Sequence, residues 1–481
     1  MKTKGVLTII LTILMLQSQA QGLVLQSKQN KQTTTNITLG CGSYDLMQHL
    51  DNKKPGFLEL SNKLMQNIEK NISNQRNTKS SDSIYVIPVV FHIVYNNDSE
   101  NIPDSVIQNQ IEILNHCYRR TNSDTTNTRP VFHNIVADTK IEFVLAEIDP
   151  EGNPTTGITR TQTDIEYFGG ILAYGQGQDQ EILDWVNDSL LYNLFRLTND
   201  TLGGKKPWNP DKYLNVWIGD LRILEPEFNN YKELVYFGLS TPPMDHHNWP
   251  DSVLNLVNIY EQGILLHYIN LGANNPNSFP NPYHTYNGLI TTGKILVHEV
   301  GHFLGLRHIW GDGDCNFNDF IYDTPNANAS SQYNCNKNRN TCVDDIYGID
   351  PPDMVENYMD YSSGNCQNSF TIGQTAVMHY VLNHYRPVLS NTIEINNIEN
   401  NQFYQSFNVY PNPTTGAVTI KSEHDIDDFQ IIIHDSQGRL VKNTCFMDIT
   451  TLNFTIEGSR GIYFMEIISN NKRTTFKILK L

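Results

Sequence analysis

His298-Glu299-Val300-Gly301-His302-Phe303-Leu304-Gly305-Leu306-Arg307-His308 is the stretch on which the reading of this 481-residue chain turns. His298 and His302 stand one helical turn apart, so a helix carries both imidazoles on one face, ready to share a metal ion. Ile295, Leu296, Phe303 and Leu304 can bury the rest of that helix. Gly305 tolerates a positive φ, so the helix can stop there and the chain can turn sharply. The turn brings His308 to the same ion. Three protein ligands leave the fourth tetrahedral position open, as in catalytic zinc sites; structural sites are usually closed by four. Glu299 faces the open side, where a carboxylate can take a proton from water acidified by the metal and pass it to a leaving amine. Other histidines, among them His92, His246, His247 and His284, lack such company and read as surface or core residues.

The length predicts two to four units. A net charge of -17 argues against nucleic acid, whose phosphates need a positive face. Lys2 and Lys4, the apolar run Val6 to Leu16, and Ser18-Gln19-Ala20 read as a signal peptide over 1–20, too short for a permanent anchor. No later segment is apolar enough to serve as a stable transmembrane anchor, so the mature protein is expected to be soluble outside the cell. Of seven cysteines, Cys315, Cys335, Cys342 and Cys366 cluster after the histidine motif with gaps unlike paired CxxC. In an exported chain they favour two disulfides, with three pairings open. Cys41, Cys117 and Cys445 are scattered.

Residues 21–83 are polar and read as a pro-segment and linker, with helix expected from Tyr44 to Glu69 and an exposed linker from Asn71 to Ser83. Val86 to Tyr95 reads as a mostly buried strand. Pro103-Asp104-Ser105 opens a helix on which Val106, Ile107, Ile111, Leu114 and Cys117 recur at helical spacing, making Cys117 a buried apolar residue. Further strands fall at Ile141 to Ile148, Tyr213 to Ile218 and Gly263 to Tyr268. Strands and helices interleave in one α+β unit over 84–390. Asn391 to Asn401 reads as a linker. Short strands with regular turns then form an all-β sandwich over 405–481.

HExxHxxGxxH with Gly305 in place resembles the metzincin metallopeptidases. Glu356-Asn357-Tyr358-Met359-Asp360-Tyr361 resembles their Met-turn, which makes Met359 the residue below the metal and Tyr361 a phenol that stabilises the tetrahedral intermediate. Asp323-Thr324-Pro325, the four cysteines and Phe370-Thr371-Ile372-Gly373-Gln374 narrow the resemblance, over Val86 to Leu389, to the pappalysin (cytophagalysin) family. That resemblance implies a two-lobed metzincin fold, zinc as cofactor, and hydrolysis of protein or peptide substrates by metal-activated water. It implies the pairings Cys315–Cys342 and Cys335–Cys366, and calcium in the loop after His308, where Asp319, Asp323 and Thr324 fall at matching positions. Relatives that cut before Lys or Arg carry an aspartate where this chain has Gly364. Leu224 to Glu261 reads as an insertion. Leu39-Gly40-Cys41-Gly42 resembles the propeptide segment of relatives whose cysteine ligates the zinc, so Cys41 is the expected latency switch, released by cleavage near Arg76 or Lys79.

Val409-Tyr410-Pro411-Asn412-Pro413, Asp435 with Gly438-Arg439, Gly461-Ile462-Tyr463 and Thr475 to Lys480 resemble the type A sorting domain of the type IX secretion system. The resemblance implies engagement of the type IX secretion machinery and delivery to the cell surface or medium. The rival, an adhesin on a dead protease fold, has no need of the intact Glu299 and His308.

Overall fold

A computed structural model describes residues 37–75, 84–171, 193–227, 230–243, 261–277, 292–346, 348–393, 407–422, 428–435, 439–447, 451–469 and 472–481. The signal peptide, Arg76, Lys79, His246, His247 and His284 lie outside the described residues. No helix among the described residues is long and apolar enough to cross a membrane.

In chain order, β1 (Ile37–Cys41) leads into α1 (Ser43–Lys53) and α2 (Phe57–Gln75). Then follow β2 (Ile84–Tyr95), α3 (Asp104–Tyr118), β3 (Val136–Ala137), β4 (Ile141–Leu145), β5 (Ile158–Gln162), β6 (Gly170–Ile171), β7 (Leu214–Gly219), β8 (Arg222–Glu227), β9 (Asn230–Ser240) and β10 (Ile264–His267). The unit closes with α4 (Lys294–Phe303), β11 (Phe370–Thr371), α5 (Ile372–His384) and β12 (Asn391–Ile393).

β2 organises the main sheet. Its twelve residues pair in parallel with β4, β5 and β7, and antiparallel with β12. From β7 the sheet continues in parallel to β10, then antiparallel to β9 and β8. Because side chains alternate across a strand, the sheet has two apolar faces. Ile87, Val89, Phe91, Val216, Ile218, Ile264 and Leu266 face a cluster shared with α3 and α4. Val94, Trp217, Leu239 and Leu265 face a second cluster. Cys117, on α3, is buried in the first, as its helical stripe predicts.

The second face is covered from the N-terminus: Leu46 and Leu50 of α1 and Phe57 of α2 are fully buried there. The helix expected within Tyr44 to Glu69 is present as two segments, separated where Gly56 takes φ +94°. The expected linker from Asn71 is helical as far as Gln75, because Ile72 continues the apolar stripe of Leu64, Met65 and Ile68 against the main core.

Two other expectations are corrected. Leu224 to Glu261 is not a simple insertion: its described part contains β9, a strand of the main sheet whose Val235, Tyr236, Phe237 and Leu239 are buried. The linker expected from Asn391 begins with β12, which extends the sheet to Ile393. Cys315 is joined to Cys342 and Cys335 to Cys366, with Cα–Cα separations of 5.6 and 5.9 Å.

The C-terminal unit is all-β. Strands β13 (Phe407–Tyr410), β14 (Ala417–Ser422) and β17 (Thr451–Thr455) form one antiparallel sheet. Strands β15 (Asp428–Asp435), β16 (Leu440–Met447), β18 (Gly461–Ser469) and β19 (Lys472–Lys480) form another. Phe407, Val418, Ile420, Ile431, Ile433, Tyr463, Met465 and Ile478 share one core. The Asp435 carboxylate accepts from Arg439 N and Nε across the predicted hairpin, whose residues 436–438 lie outside the described ones.

Candidate metal centre

All ten residues of α4 are buried between the sheet and the segment around Met359. His298 and His302 project from one face of this helix. The chain then turns at Gly305 (φ +92°) and returns with His308. The Nε2 atoms converge, His302 lying 3.0 Å from His298 and 3.1 Å from His308. Each Nδ1 faces an oxygen: Tyr358 O at 2.7 Å, Leu306 O at 2.8 Å, and the Asp312 carboxylate. A carbonyl accepts but never donates, so in His298 and His302 the proton must sit on Nδ1, leaving Nε2 a bare lone pair. Burial, and secondarily His308, lower the His298 pKa to about 3, and burial also pulls His302 well below its usual value. Neutral imidazoles aimed nitrogen to nitrogen repel one another; a divalent cation between them turns that repulsion into ligation. The donor set therefore fits zinc.

The Cys41 thiol completes the group: Cys41 Sγ and a nitrogen of each histidine all lie within 4.8 Å of one another. β1 delivers it by pairing in parallel with β9, register Ile37 with Leu234 to Cys41 with Gly238. Burial, and then Glu299, push the Cys41 thiol well above its ordinary pKa, so a thiolate here needs a cation at the three nitrogens.

Glu299 is fully buried, and burial raises its pKa to about 8. Its Oε2 accepts from Ser43 Oγ at 3.2 Å and Cys41 Sγ at 3.4 Å, while Oε1 has no hydrogen-bond partner among the described residues. The Tyr361 hydroxyl accepts from Cys41 N and donates to Cys41 O, both at 3.2 Å. Its ring stands 4.9 Å from that of His308 and is stacked with Tyr333 at 6.0 Å.

Met359 is fully buried beneath α4, its Sδ directly against the Cα of Gly301. The structure thus brings His298, Glu299, His302, His308, Cys41, Met359 and Tyr361 together. Of the residues expected to hold calcium, Asp319 and Thr324 meet: the Thr324 hydroxyl donates to the Asp319 carboxylate at 2.8 Å. Asp323 lies near enough to help raise the Asp319 pKa, and its carboxylate accepts from Thr371 Oγ1 at 2.7 Å and Gly373 N at 2.8 Å at the start of α5. Gly364 contributes its carbonyl, which accepts from Lys294 Nζ at 2.8 Å; that ammonium also donates to Asp124 and to Gln367 O.

Several site residues were missed. Ser43 binds Glu299, and Ser240 N donates to Ser43 Oγ at 2.9 Å. Gly238 of β9 lies so close to Glu299 that a Cβ would stand 2.7 Å from Glu299 Cγ. Gly301 is the smooth surface that Met359 requires. Only Gly301, inside the motif, carried a sequence signal: a glycine in a helix costs about 1 kcal/mol and calls for a packing reason.

Two histidines on a helix, a third after a glycine turn, a carboxylate beside them and a methionine beneath define the centre of a metallopeptidase. Residues 280–383 match the peptidase family described as Pregnancy-associated plasma protein-A, and residues 408–480 match the secretion system C-terminal sorting domain. Among curated proteins, the chain is similar to an extracellular metalloprotease of Sordaria macrospora, 40% identical over 94 residues. It is also similar to one of Verticillium alfalfae, 43% identical over 94 residues. Each match covers 20% of this chain, and the chain spans 31% of the length of these curated relatives. Among solved structures, a Glu→Ala variant of promirolysin from Tannerella forsythia is 30% identical with a TM-score of 0.54, covering 75% of this chain and 98% of that one. Mature mirolysin in complex with a cleaved peptide is 32% identical with a TM-score of 0.49, covering 64% of this chain and 96% of that one. The chain belongs to the pappalysin family of metalloproteases and carries a secretion sorting domain at its C-terminus.

Proposed function

We propose that the chain is the zymogen of a secreted zinc metalloendopeptidase. Residues 1–20 are the export signal, 21–83 the pro-segment, 84–390 the catalytic unit, and 405–481 the sorting domain handed to the type IX secretion machinery. The observation that carries this reading is the convergence of three imidazole Nε2 atoms and the Cys41 thiol beside a buried Glu299.

His298, His302 and His308 would hold the zinc. When bound, zinc supplies the Lewis acidity that makes water a nucleophile near neutral pH and polarises a peptide carbonyl. Everything else falls to this chain's residues. Glu299, once freed from Cys41 and Ser43, takes the proton of the attacking water and returns it to the leaving amine. Tyr361, whose hydroxyl is held by the Cys41 backbone, becomes free to donate to the developing oxyanion. In the latent form the thiol occupies the position that substrate and water need, and Ser43 holds the base.

Calcium is proposed for the loop after His308 on the strength of the buried Asp319 carboxylate and its neighbours Thr324 and Asp323. The substrates are proteins or peptides.

The test is hydrolysis of an unfolded protein by enzyme freed of its pro-segment. Activity should vanish with a strong chelator, return with zinc, and fall about 10²- to 10⁴-fold in Glu299→Ala with zinc content unchanged. Full activity of Glu299→Ala, or equal activity before and after removal of the pro-segment, defeats the reading.

A further inference from the structure

A cavity lies between the pro-segment helices and the catalytic unit, beside His302 and His308. His302, Leu306, Arg307, Val381 and Tyr385 line it from the catalytic side; Ser43, Ser61, Leu64 and Met65 line it from the pro-segment. It is largely apolar, and Arg307 and Asp312 are the charged residues on its wall. Arg307 stands in the histidine motif itself, directly before His308. Its guanidinium lies over the Phe320 ring at 5.0 Å, and its charge is partly offset by the nearby Asp312 and Asp319. Among the described residues its hydrogen bonds both reach the pro-segment: Nη1 donates to Asn62 Oδ1 at 2.6 Å and Nη2 to Ser61 Oγ at 2.8 Å.

We propose that Arg307 is a specificity-determining residue of the cleft. In the latent chain Ser61 and Asn62 stand in for a substrate side chain; in the freed enzyme Arg307 binds an amide, hydroxyl or carboxylate acceptor on substrates extended along this groove. The proposal rests on the peptidase reading above. Removal of the pro-segment takes Asn62 and Ser61 away but leaves the guanidinium on its ring, with two donors aimed into an apolar groove next to the metal ligands. The released donors exchange Asn62 and Ser61 for water; a bound substrate that covers them without an acceptor buries them unpaired, so a substrate that supplies one is favoured over one that does not. A guanidinium is rigid and planar, so its donors stay aimed when the pro-segment leaves. The apolar neighbours Leu306, Val381 and Tyr385 provide contact area while Arg307 provides the directional term.

The test profiles cleavage of a peptide library by freed enzyme and by Arg307→Met. The parent enzyme should favour Asn, Gln, Ser, Thr, Asp or Glu over Ala at one position away from the scissile bond. The ratio of kcat/KM between acceptor-bearing and alanine peptides should be about tenfold, falling to about one in Arg307→Met. A parent enzyme indifferent at every position, or a preference that survives unchanged in Arg307→Met, overturns the proposal. Should no peptide be cleaved at all, the peptidase reading fails, and Arg307 is then tested by binding. A labelled peptide spanning 37–75 is titrated into freed Glu299→Ala protein; Arg307→Met and Asn62→Ala should each weaken it several-fold and non-additively. Additive or absent effects there refute the contact as a recognition device.

Discussion

Gly238→Ala tests whether β9 positions the catalytic base. A Cβ at this glycine would lie 2.7 Å from Cγ and Oε1 of Glu299 and 2.8 Å from Cδ, whereas ordinary contact begins at 3.4 Å. The backbone there is not left-handed, so alanine adds no conformational strain. In the freed enzyme β9 is still held at Gly238 by pairing with β10, so the Glu299 side chain is the part expected to move, by about 0.7 Å, the shortfall in contact distance. A misplacement of about 1 Å at a reacting group costs about 10²-fold. The variant's kcat should therefore fall ten- to a hundredfold with KM for a protein substrate much less altered. The assay is steady-state hydrolysis by freed enzyme, with zinc content and the unfolding transition measured in parallel. Glu299→Ala supplies the control: adding Gly238→Ala to it should cost little more, since the displaced group is gone. A Gly238→Ala enzyme within twofold of the parent, or one that loses equal activity in the Glu299→Ala background, refutes the idea that this glycine exists to make room for the base.

Gly301→Ala gains about 1 kcal/mol of helix propensity but drives a methyl into Met359 Sδ, an overpacking cost of about 1–3 kcal/mol; denaturant unfolding should show a net loss that Met359→Ala partly relieves. His92 is buried between Thr159 and Asn215, and burial lowers its pKa to about 4. As pH falls from about 6.5 to 4 the unfolded chain takes a proton that the folded chain refuses, so stability present above pH 6.5 is lost by up to about 3 kcal/mol. Unfolding of His92→Gln should show a shallower pH slope over that window, and an unchanged slope would exclude the assignment. A peptide of residues 37–75 should inhibit freed enzyme in trans, because Leu46, Leu50 and Phe57 are as buried as any core residue. Phe57→Asp in that peptide should weaken inhibition at least a hundredfold, and equal potency would show that the metal contact alone holds the pro-segment.

Much of the centre was legible because its geometry is local. The spacing of His298 and His302 on one helix face, and the glycine after which His308 returns, follow from helix geometry and need no tertiary information. The short strands of the C-terminal unit were legible for the same reason, since alternation and turn residues are short-range signals. Boundaries failed where packing overrode composition. Ile72, in a polar stretch, is helical because the main core accepts it, and the strand beginning at Asn391 exists because β2 offers a free edge.

The sequence by itself determined the histidine cluster, the carboxylate beside it and the C-terminal sorting domain, because these depend on residue type at fixed short spacing. Only the tertiary structure decided what surrounds them. Cys41 lies 258 residues from Glu299 along the chain and reaches it through strand pairing with β9, a register set by the buried face of the sheet. Gly238 and Ser43 matter for Glu299, and Ser61 and Asn62 for Arg307, because folding places them within contact distance. Such proximity depends on how the elements pack, which no local pattern of residues encodes.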